Sequence, residues 1–264
     1  MTKEEKEKQK KKRLGETNIS NEGCEMKIVE YKKANDIIVE FQDEYKTNVH
    51  TKYCHFKIGN VKNPFYKSVY GIGFIGAGKY KTKENGKLTK AYICWRNMLK
   101  RCYDPYYLNK KPTYIDCYVC ESWLCFQNFA KWFYKNYYEI ENEIMCLDKD
   151  ILVKGNKIYS PETCIFVPER INCLFIKRQN DRGAYPIGVC PDKESNHLLV
   201  RCDTLEKREY LGKFPLNKPF QAFTAYKNFK ENYIKKVADE YYSKGLISSK
   251  LYESMYKYKV EIND

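Results

Sequence analysis

Two aspartates separated by one residue, Asp148 and Asp150, are well suited to hold a divalent cation. Hard cations such as Mg²⁺ and Mn²⁺ prefer oxygen ligands, above all carboxylates. If residues 147–153 form a strand, both carboxylates lie on one side of it and Lys149 lies on the other. Asn172, in a short helical pattern further along, is a further candidate for this site. The alternatives are that the aspartates form a turn and salt bridges and that Asn172 is a surface amide.

Cys117 and Cys120 form a C-x-x-C half-site in a chain with 12 cysteines. A structural zinc ion takes four ligands, and the sequence has no second C-x-x-C. Further ligands would have to come singly from Cys102, Cys125, Cys146 or Cys164. We therefore do not expect structural zinc, and we interpret most cysteines as small apolar core residues.

Three lysines, Lys79, Lys81 and Lys83, alternate with Tyr80 and Thr82 ahead of an Asn-Gly dipeptide. Asn-Gly is typical of a tight hairpin turn. Because the side chains of a strand alternate between its faces, a strand here places three ammonium groups on one face. Such a face suits a phosphate backbone, and we expect these lysines to contact DNA. The alternative is that they protect an exposed strand edge from aggregation.

The composition favours a folded protein with a polyanionic partner. The 264 residues include 48 Lys and Arg and 34 Asp and Glu, which gives a formal net charge of +14. This excess points to nucleic acid, and 43% hydrophobic residues suffice to build cores. No signal-peptide pattern and no apolar run long enough for a membrane span are present. We expect reduced cysteines, a cytoplasmic location and no membrane partner; the sequence does not indicate an oligomeric state.

The elements that must position these residues fall into four segments, and together they predict the α+β class. Residues 1–25 form a charged flexible tail, either a solvated arm or one that orders on DNA. Residues 26–68 predict a small β module. Residues 69–176 combine two apolar helical patterns, the second over 122–134, with a strand, turn, strand and short helix. Three strands, a long amphipathic helix and a helical tail are expected over 182–264.

Residues 91–175 resemble the HNH (ββα-metal) endonuclease-like proteins that are common in phage genomes. The family pattern runs W-x-x-M-x-x-R-C-Y, V-C-x-x-W-x-x-F-x-x-F, L-D-x-D, Y-S-P-x-x-C and a final Asn. The residues that carry the resemblance are, in chain order, Trp95, Met98, Arg101, Cys102, Tyr103, Val119, Cys120, Trp123, Phe126, Phe129, Leu147, Asp148, Asp150, Tyr159, Ser160, Pro161, Cys164 and Asn172. The resemblance implies a ββα unit that cleaves DNA with a divalent cation.

The same resemblance implies a catalytic site at Asp148, Lys149, Asp150 and Asn172, with the two aspartates as metal ligands. HNH cleavage uses a histidine as the general base that activates water. The three histidines of this chain, at positions 50, 55 and 197, lie outside residues 91–175. The segment 148–150 stands where the family has that base. Two interpretations stay open: the protein is an enzyme without the usual histidine, or its ββα unit has lost catalytic activity.

Residues 182–240 resemble the AP2 DNA-binding domain, in which a three-stranded sheet packs on one helix. The likeness is carried by Gly188, Val189, Leu198, Leu199, Val200, Arg201, Tyr210, Leu211, Gly212, Lys213, Phe214, Ala222, Phe223, Ala225 and Tyr226. In that family the sheet lies in the major groove. The resemblance implies DNA contacts from Arg182, Tyr185, Lys193, Arg201, Lys207 and Arg208. The alternative is a solvated, charged sheet edge.

These features predict a phage-type protein of the HNH/AP2 homing-endonuclease type that binds double-stranded DNA in a sequence-directed way. If the protein is catalytic, it nicks or cleaves DNA with Mg²⁺ or Mn²⁺ in the host-cell cytoplasm. Two alternatives stay open. One is a catalytically inactive DNA-binding regulator or accessory protein, and the other is an inhibitor of a host defence component.

Overall fold

The computed structural model describes residues 3–177 and 184–264, and the chain divides into two compact units, Met1–Tyr134 and Lys135–Asp264. Both units contain helices and strands, so the predicted α+β class is confirmed. Among the residues described, no helix is both long and apolar enough to span a membrane.

The first half of the chain begins with a sheet and continues with short helices. Its elements are α1 (Lys3–Arg13), β1 (Thr17–Ile19), β2 (Glu25–Lys33), β3 (Asp36–Phe41), β4 (Asn48–Thr51), α2 (Tyr53–Lys57), β5 (Lys83–Glu84), β6 (Lys87–Leu88), α3 (Lys90–Tyr103), α4 (Pro105–Lys110), a 3₁₀ turn (Pro112–Tyr114), β7 (Tyr118–Val119), α5 (Glu121–Leu124) and α6 (Phe126–Asn136).

An antiparallel sheet in the order β1-β2-β3-β4 forms the N-terminal β region. Alternate residues of β2 and β3 face one side of it, and Ile28, Val39 and Phe41 are fully buried there. Phe56 of α2 packs into the same cluster and closes it. The predicted strands of the β module are therefore present, with β1 and β4 added at the sheet edges.

Residues 3–25 differ from the predicted flexible tail, because α1 and β1 are ordered against the sheet. β1 pairs antiparallel with β2. The guanidinium of Arg13 lies 4.2 Å from the centre of the Tyr53 ring, and the Tyr53 hydroxyl donates to Glu16 at 3.0 Å. These partners are distant in sequence and polar, so hydrophobic periodicity gives no sign of them.

The helices that follow agree with the sequence in part. Trp95, Met98 and Leu99 of α3 are buried as predicted. The single helix predicted over 122–134 is instead divided into α5 and α6 at Cys125, whose backbone is extended. Phe74 pairs with the chain at this break: its N–H donates to the carbonyl of residue 124, and its carbonyl accepts from the N–H of residue 126. Apolar spacing does not reveal a pairing between segments so far apart in the chain.

The second unit holds two small sheets and three helices among its described residues. Its elements are β8 (Met145–Asp148), β9 (Ile158–Tyr159), β10 (Ile165–Pro168), α7 (Glu169–Cys173), β11 (Val189–Pro191), β12 (His197–Asp203), β13 (Arg208–Pro215), α8 (Pro219–Ser243) and α9 (Ser249–Lys257).

β8 and β10 pair antiparallel and α7 follows directly, which gives the predicted order of strand, strand and helix. The strand expected over 147–153 ends at Asp148, however. The Asp148 carboxylate accepts hydrogen bonds from the backbone N–H groups of Asp150 and Ile151, at 2.9 and 2.7 Å, and so stabilises a turn. The expectation that Asp148 and Asp150 share one strand face is therefore wrong.

β11, β12 and β13 form an antiparallel sheet in that order, and the first half of α8 packs on its inner face. Leu198, Val200 and Cys202 of β12 are buried against Ala222 and Phe223 of α8. The predicted three strands and long helix of this region are present.

The 25-residue helix α8 belongs to both parts of the second unit. Its second half, which includes Ile234, Val237 and Ala238, packs in one cluster with Val167 of β10 and Ile171 of α7. This differs from the predicted division into a 69–176 domain and a 182–264 domain. The ββα elements and the three-stranded sheet are held on one shared helix.

Candidate functional site

The outer face of the three-stranded sheet carries a group of charged and aromatic side chains. Because Leu198, Val200 and Cys202 face the core, the alternate residues of β12 face outward. Their cross-strand partners lie on the same face, and these are Lys213 opposite Leu199, Tyr210 opposite Arg201 and Arg208 opposite Asp203. We call these six residues the open sheet face: Leu199, Arg201, Asp203, Arg208, Tyr210 and Lys213.

Arg201 differs from the other two cations of the open sheet face. Arg208 makes a two-pronged contact with Asp203, at 2.6 and 3.1 Å. Lys213 lies 2.8 Å from a carboxylate oxygen of Asp192. Arg201 is exposed and has no salt bridge to any described residue. Its guanidinium is therefore available to a ligand from outside.

Tyr210, opposite Arg201, leaves 59% of its surface exposed. The strand pairing shifts register between Val200 and Arg201, so that Val200 pairs with Gly212 and Arg201 pairs with Tyr210. A bulge of this kind increases strand twist and redirects side chains. The result is an exposed ring beside a guanidinium, two groups that contact bases and phosphates well.

The other residues predicted from the AP2 resemblance occupy different surroundings. Lys193 is exposed in the connection between β11 and β12. Lys207 precedes β13 and lies 3.2 Å from Glu209. Tyr185 packs against the core beneath the sheet, so its side chain has a structural role. Arg182 lies outside the described residues.

Lys79, Lys81 and Lys83 are exposed in the first unit, but only Lys83 lies in a strand. The expected three-lysine strand face is thus wrong, although the Asn-Gly turn is present, with φ of 49° and 77°. The segment is held from below, since the side-chain amide of Gln127 hydrogen-bonds both the N–H and the carbonyl of Tyr80, at 3.0 and 2.9 Å. A fixed backbone with outward lysines can still contact phosphates.

Asp148 is a partly buried carboxylate whose pKa is raised in the folded protein. Burial raises the pKa of Asp148 to about 6, and the negative charge of Asp150 adds to the rise. The two backbone N–H donors oppose this rise because they favour the charged form.

Lys149 is buried between partners of its own. Its ammonium lies 3.1 Å from Asp150 and donates to the carbonyl of Asn156 at 2.8 Å. Asn156 in turn donates to the carbonyls of Lys149 and Ile158, at 2.6 and 2.7 Å. These contacts give Lys149 a structural role in the turn after β8.

The two aspartates of the metal site implied by the HNH resemblance have other partners within the described part of the chain. Asp148 is engaged by two N–H groups and Asp150 by an ammonium. Asn172 lies on α7, and within residues 3–177 and 184–264 no hydrogen bond joins its side chain to either aspartate. No group of three His, Cys, Asp or Glu is placed to hold a metal in the part of the chain that the structure describes. The turn after β8 contains Asp148, Lys149 and Asp150, and Asn172 lies on α7.

The predicted DNA contacts do not include the ring and the ammonium that complete the open sheet face. Tyr210 and Lys213 lie opposite Arg201 and Leu199, on the same face. The alternation of buried and exposed residues along β12 predicts which of its side chains face outward. The register that brings β13 alongside depends on the bulge, which the sequence does not indicate.

Comparisons of this chain with protein-family models, with curated proteins and with solved structures find no match. The candidate site therefore has to be interpreted from its own geometry.

Proposed function

We propose that this protein binds double-stranded DNA and that the open sheet face is its reading surface. The observation that carries the proposal is Arg201, an exposed guanidinium without an ion-pair partner among the described residues, beside the exposed ring of Tyr210. A guanidinium donates two parallel hydrogen bonds to the major-groove edge of guanine. A two-stranded β-ribbon is narrow enough to enter that groove.

The flanking cations support phosphate contacts at either side of Arg201. Arg208 is paired with Asp203, and both side chains are more than half exposed, whereas Lys213 is paired with Asp192, whose side chain is mostly covered. An exposed ion pair such as that of Arg208 contributes little to stability, so a phosphate can replace its carboxylate at small cost. The formal charge of +14 supplies the long-range attraction for a polyanion.

The proposal is tested with the variant Arg201→Gln in the full-length chain. The measurement is fluorescence anisotropy on a duplex selected from a random library with the wild-type protein. Loss of a bidentate base contact costs about 1–3 kcal/mol, or roughly five- to a hundredfold in affinity. We expect a loss in this range on the selected duplex and a smaller loss on an unselected one.

The matched control is Lys236→Gln, which removes an exposed positive charge from α8. We expect this variant to bind the selected duplex within about twofold of the wild type. Equal affinity of Arg201→Gln and wild type on the selected duplex would remove Arg201 from the interface.

Our proposal is binding rather than cutting, because the carboxylates of 148 and 150 are engaged by the turn itself. Incubation of the purified chain with supercoiled plasmid and Mg²⁺ or Mn²⁺ separates the two activities. We expect the plasmid to stay supercoiled. Nicking by the wild type that disappears in Asp148→Asn would instead support the endonuclease.

A further inference from the structure

A cavity of about 540 Å³ lies in the second unit, at the edge of the three-stranded sheet. Its walls come from the end of α7 and the residues after it, from β11 and β12, from the turn before β13 and from α8. This volume is within the range of small-molecule binding sites, roughly 300–1,000 Å³.

The walls of this cavity combine apolar side chains with an excess of positive charge. Leu174, Ile187 and Leu205 supply apolar surface. Among the residues that the structure describes, five basic side chains line the cavity against two carboxylates, those of Asp203 and Glu206. Both carboxylates are already engaged, Asp203 by Arg208 and Glu206 by the hydroxyl of Tyr233. Lys177 and Lys207 are paired with Asp264 and Glu209. Arg201 and Lys230 are the lining cations without an ion pair to a described residue.

Lys230 of α8 is the most unusual of these cations, because only 7% of its surface is exposed. Its ammonium makes one hydrogen bond within the described residues, to the backbone carbonyl of Asp203 at 3.4 Å. An ammonium has three N–H donors, and a buried charge without a full set of partners is costly. Burial also lowers the pKa of Lys230, and the nearby Cys202 and Asp203 offset this effect only in part.

We propose that this cavity binds the phosphomonoester of a nucleotide, with Lys230 and Arg201 as the phosphate ligands. A phosphomonoester carries a charge of roughly −1.5 to −2 at neutral pH and offers three acceptor oxygens. Lys230 donates to it from the floor of the cavity and Arg201 from its rim. The phosphate thereby supplies the acceptors that the buried ammonium lacks.

The size and the apolar walls select a nucleotide rather than phosphate alone. A single phosphate leaves most of a cavity of about 540 Å³ empty, whereas a nucleotide occupies a larger part of it. The apolar side chains of Leu174, Ile187 and Leu205 suit contact with a base and a sugar. A nucleotide can be free or can be the 5′ end of a DNA strand, and both present the same phosphomonoester.

This site adjoins the proposed reading surface, because Arg201, Asp203 and Arg208 belong to both. Lys230 lies on α8, on the side of the sheet opposite the open sheet face. Tyr210 and Lys213 do not line the cavity. Variants of Lys230 and of Tyr210 therefore test the two proposals independently.

The test is isothermal titration calorimetry on the full-length chain with thymidine 5′-monophosphate, thymidine and inorganic phosphate. We expect the monophosphate to bind at least about tenfold more tightly than either of the other two, since a charge-assisted hydrogen bond contributes that much or more. Lys230→Met weakens binding of the monophosphate at least about tenfold. Because methionine keeps a long apolar stem in the buried position, this variant is expected to fold, and circular dichroism checks that it does.

Two further variants complete the design. Lys236→Met, an exposed lysine of the same helix, is the matched control and leaves binding within about twofold. Arg201→Gln, an exposed substitution that preserves the core, weakens the monophosphate as well. Absence of binding by thymidine 5′-monophosphate would overturn the proposal. So would equal affinity for inorganic phosphate, or wild-type affinity in folded Lys230→Met.

A short thymidine oligonucleotide, with and without a 5′-phosphate, identifies the source of the phosphomonoester. Stronger binding of the phosphorylated oligonucleotide than of the monophosphate supports the site and assigns it to DNA ends. Stronger binding of the free monophosphate supports the site and assigns it to a free nucleotide. Duplex binding by Lys230→Met, measured beside these titrations, shows whether the reading surface is intact.

Discussion

At the scale of single residues, the carboxylate of Asp148 has a structural role, because it stabilises a turn of the backbone. Its oxygen accepts two backbone N–H groups, and these bonds end β8 and stabilise the turn that follows. Burial and the charge of Asp150 nevertheless raise its pKa to about 6. The folded chain therefore holds a proton on Asp148 at pH values where the unfolded chain has released it.

This shift predicts a pH dependence of stability. A carboxyl whose pKa is raised on folding stabilises the protein below its unfolded pKa, and this contribution is lost as the pH rises through the folded pKa. For Asp148 the loss occurs between about pH 4 and pH 6. In Asp148→Asn the side chain does not titrate, and an amide oxygen can still accept both N–H bonds. Relative to the wild type, the variant gains up to about 2 kcal/mol of unfolding free energy across this window.

Urea unfolding of both proteins at a series of pH values between about 4 and 7 measures the difference. Asp192→Asn is not a suitable control, because that carboxylate pairs with Lys213. Glu141→Gln, an exposed carboxylate of the same unit, serves instead. Parallel pH profiles for Asp148→Asn and wild type would contradict the raised pKa.

Some residues of the candidate sites can be predicted from the sequence, and others cannot. Arg201 was predicted from its place in an AP2-like strand, and the structure puts it at an exposed position on β12. The sequence does not indicate a special role for Lys230, because a lysine in an amphipathic helix is ordinarily solvated. Its burial depends on the packing of α8 against a sheet formed by a different part of the chain. Such packing is long-range and leaves no local pattern.

At the scale of elements, α8 determines how the second unit is built. One end of the helix covers the sheet, and the other end covers the ββα elements and α9. The amphipathic pattern predicted the helix itself. Which surfaces it covers could not be predicted, because a stripe of apolar residues is compatible with any apolar partner.

The shared helix predicts that the sheet and the ββα elements unfold together. Ile234→Ala removes a fully buried side chain from the ββα end of α8 and costs about 2–5 kcal/mol. Native-state hydrogen exchange on the amides of β10 and β12 measures the local free energies of opening. We expect both strands to lose protection by similar amounts.

Ile144→Ala is the matched control, since 67% of that side chain is exposed. It should change protection in neither strand. Weaker protection in β10 with unchanged protection in β12 would show that the sheet folds independently and would contradict the role of α8 as a shared element.

At the scale of the whole molecule, the charge excess predicts a strong salt dependence of the proposed DNA binding. Each phosphate contact releases counterions, and the logarithm of the binding constant falls by about 0.9 per contact for each logarithmic unit of salt. If Lys79, Lys81 and Lys83 contact phosphates, the triple variant with glutamine at these positions reduces the slope by about 2 to 3. An unchanged slope in the triple variant would contradict phosphate contacts from these lysines. It would support the alternative that they protect an exposed strand edge from aggregation.

The most direct test of the central proposal is photo-cross-linking from the open sheet face. The photoreactive residue p-benzoylphenylalanine replaces Tyr210 in one variant and Tyr242, an exposed tyrosine of α8, in another. Both full-length proteins are irradiated with a selected, radiolabelled DNA duplex. The proposal predicts efficient cross-linking from position 210 and background levels from position 242. Cross-linking from position 242 but not from position 210, with duplex binding intact in both variants, would contradict a reading surface on this sheet.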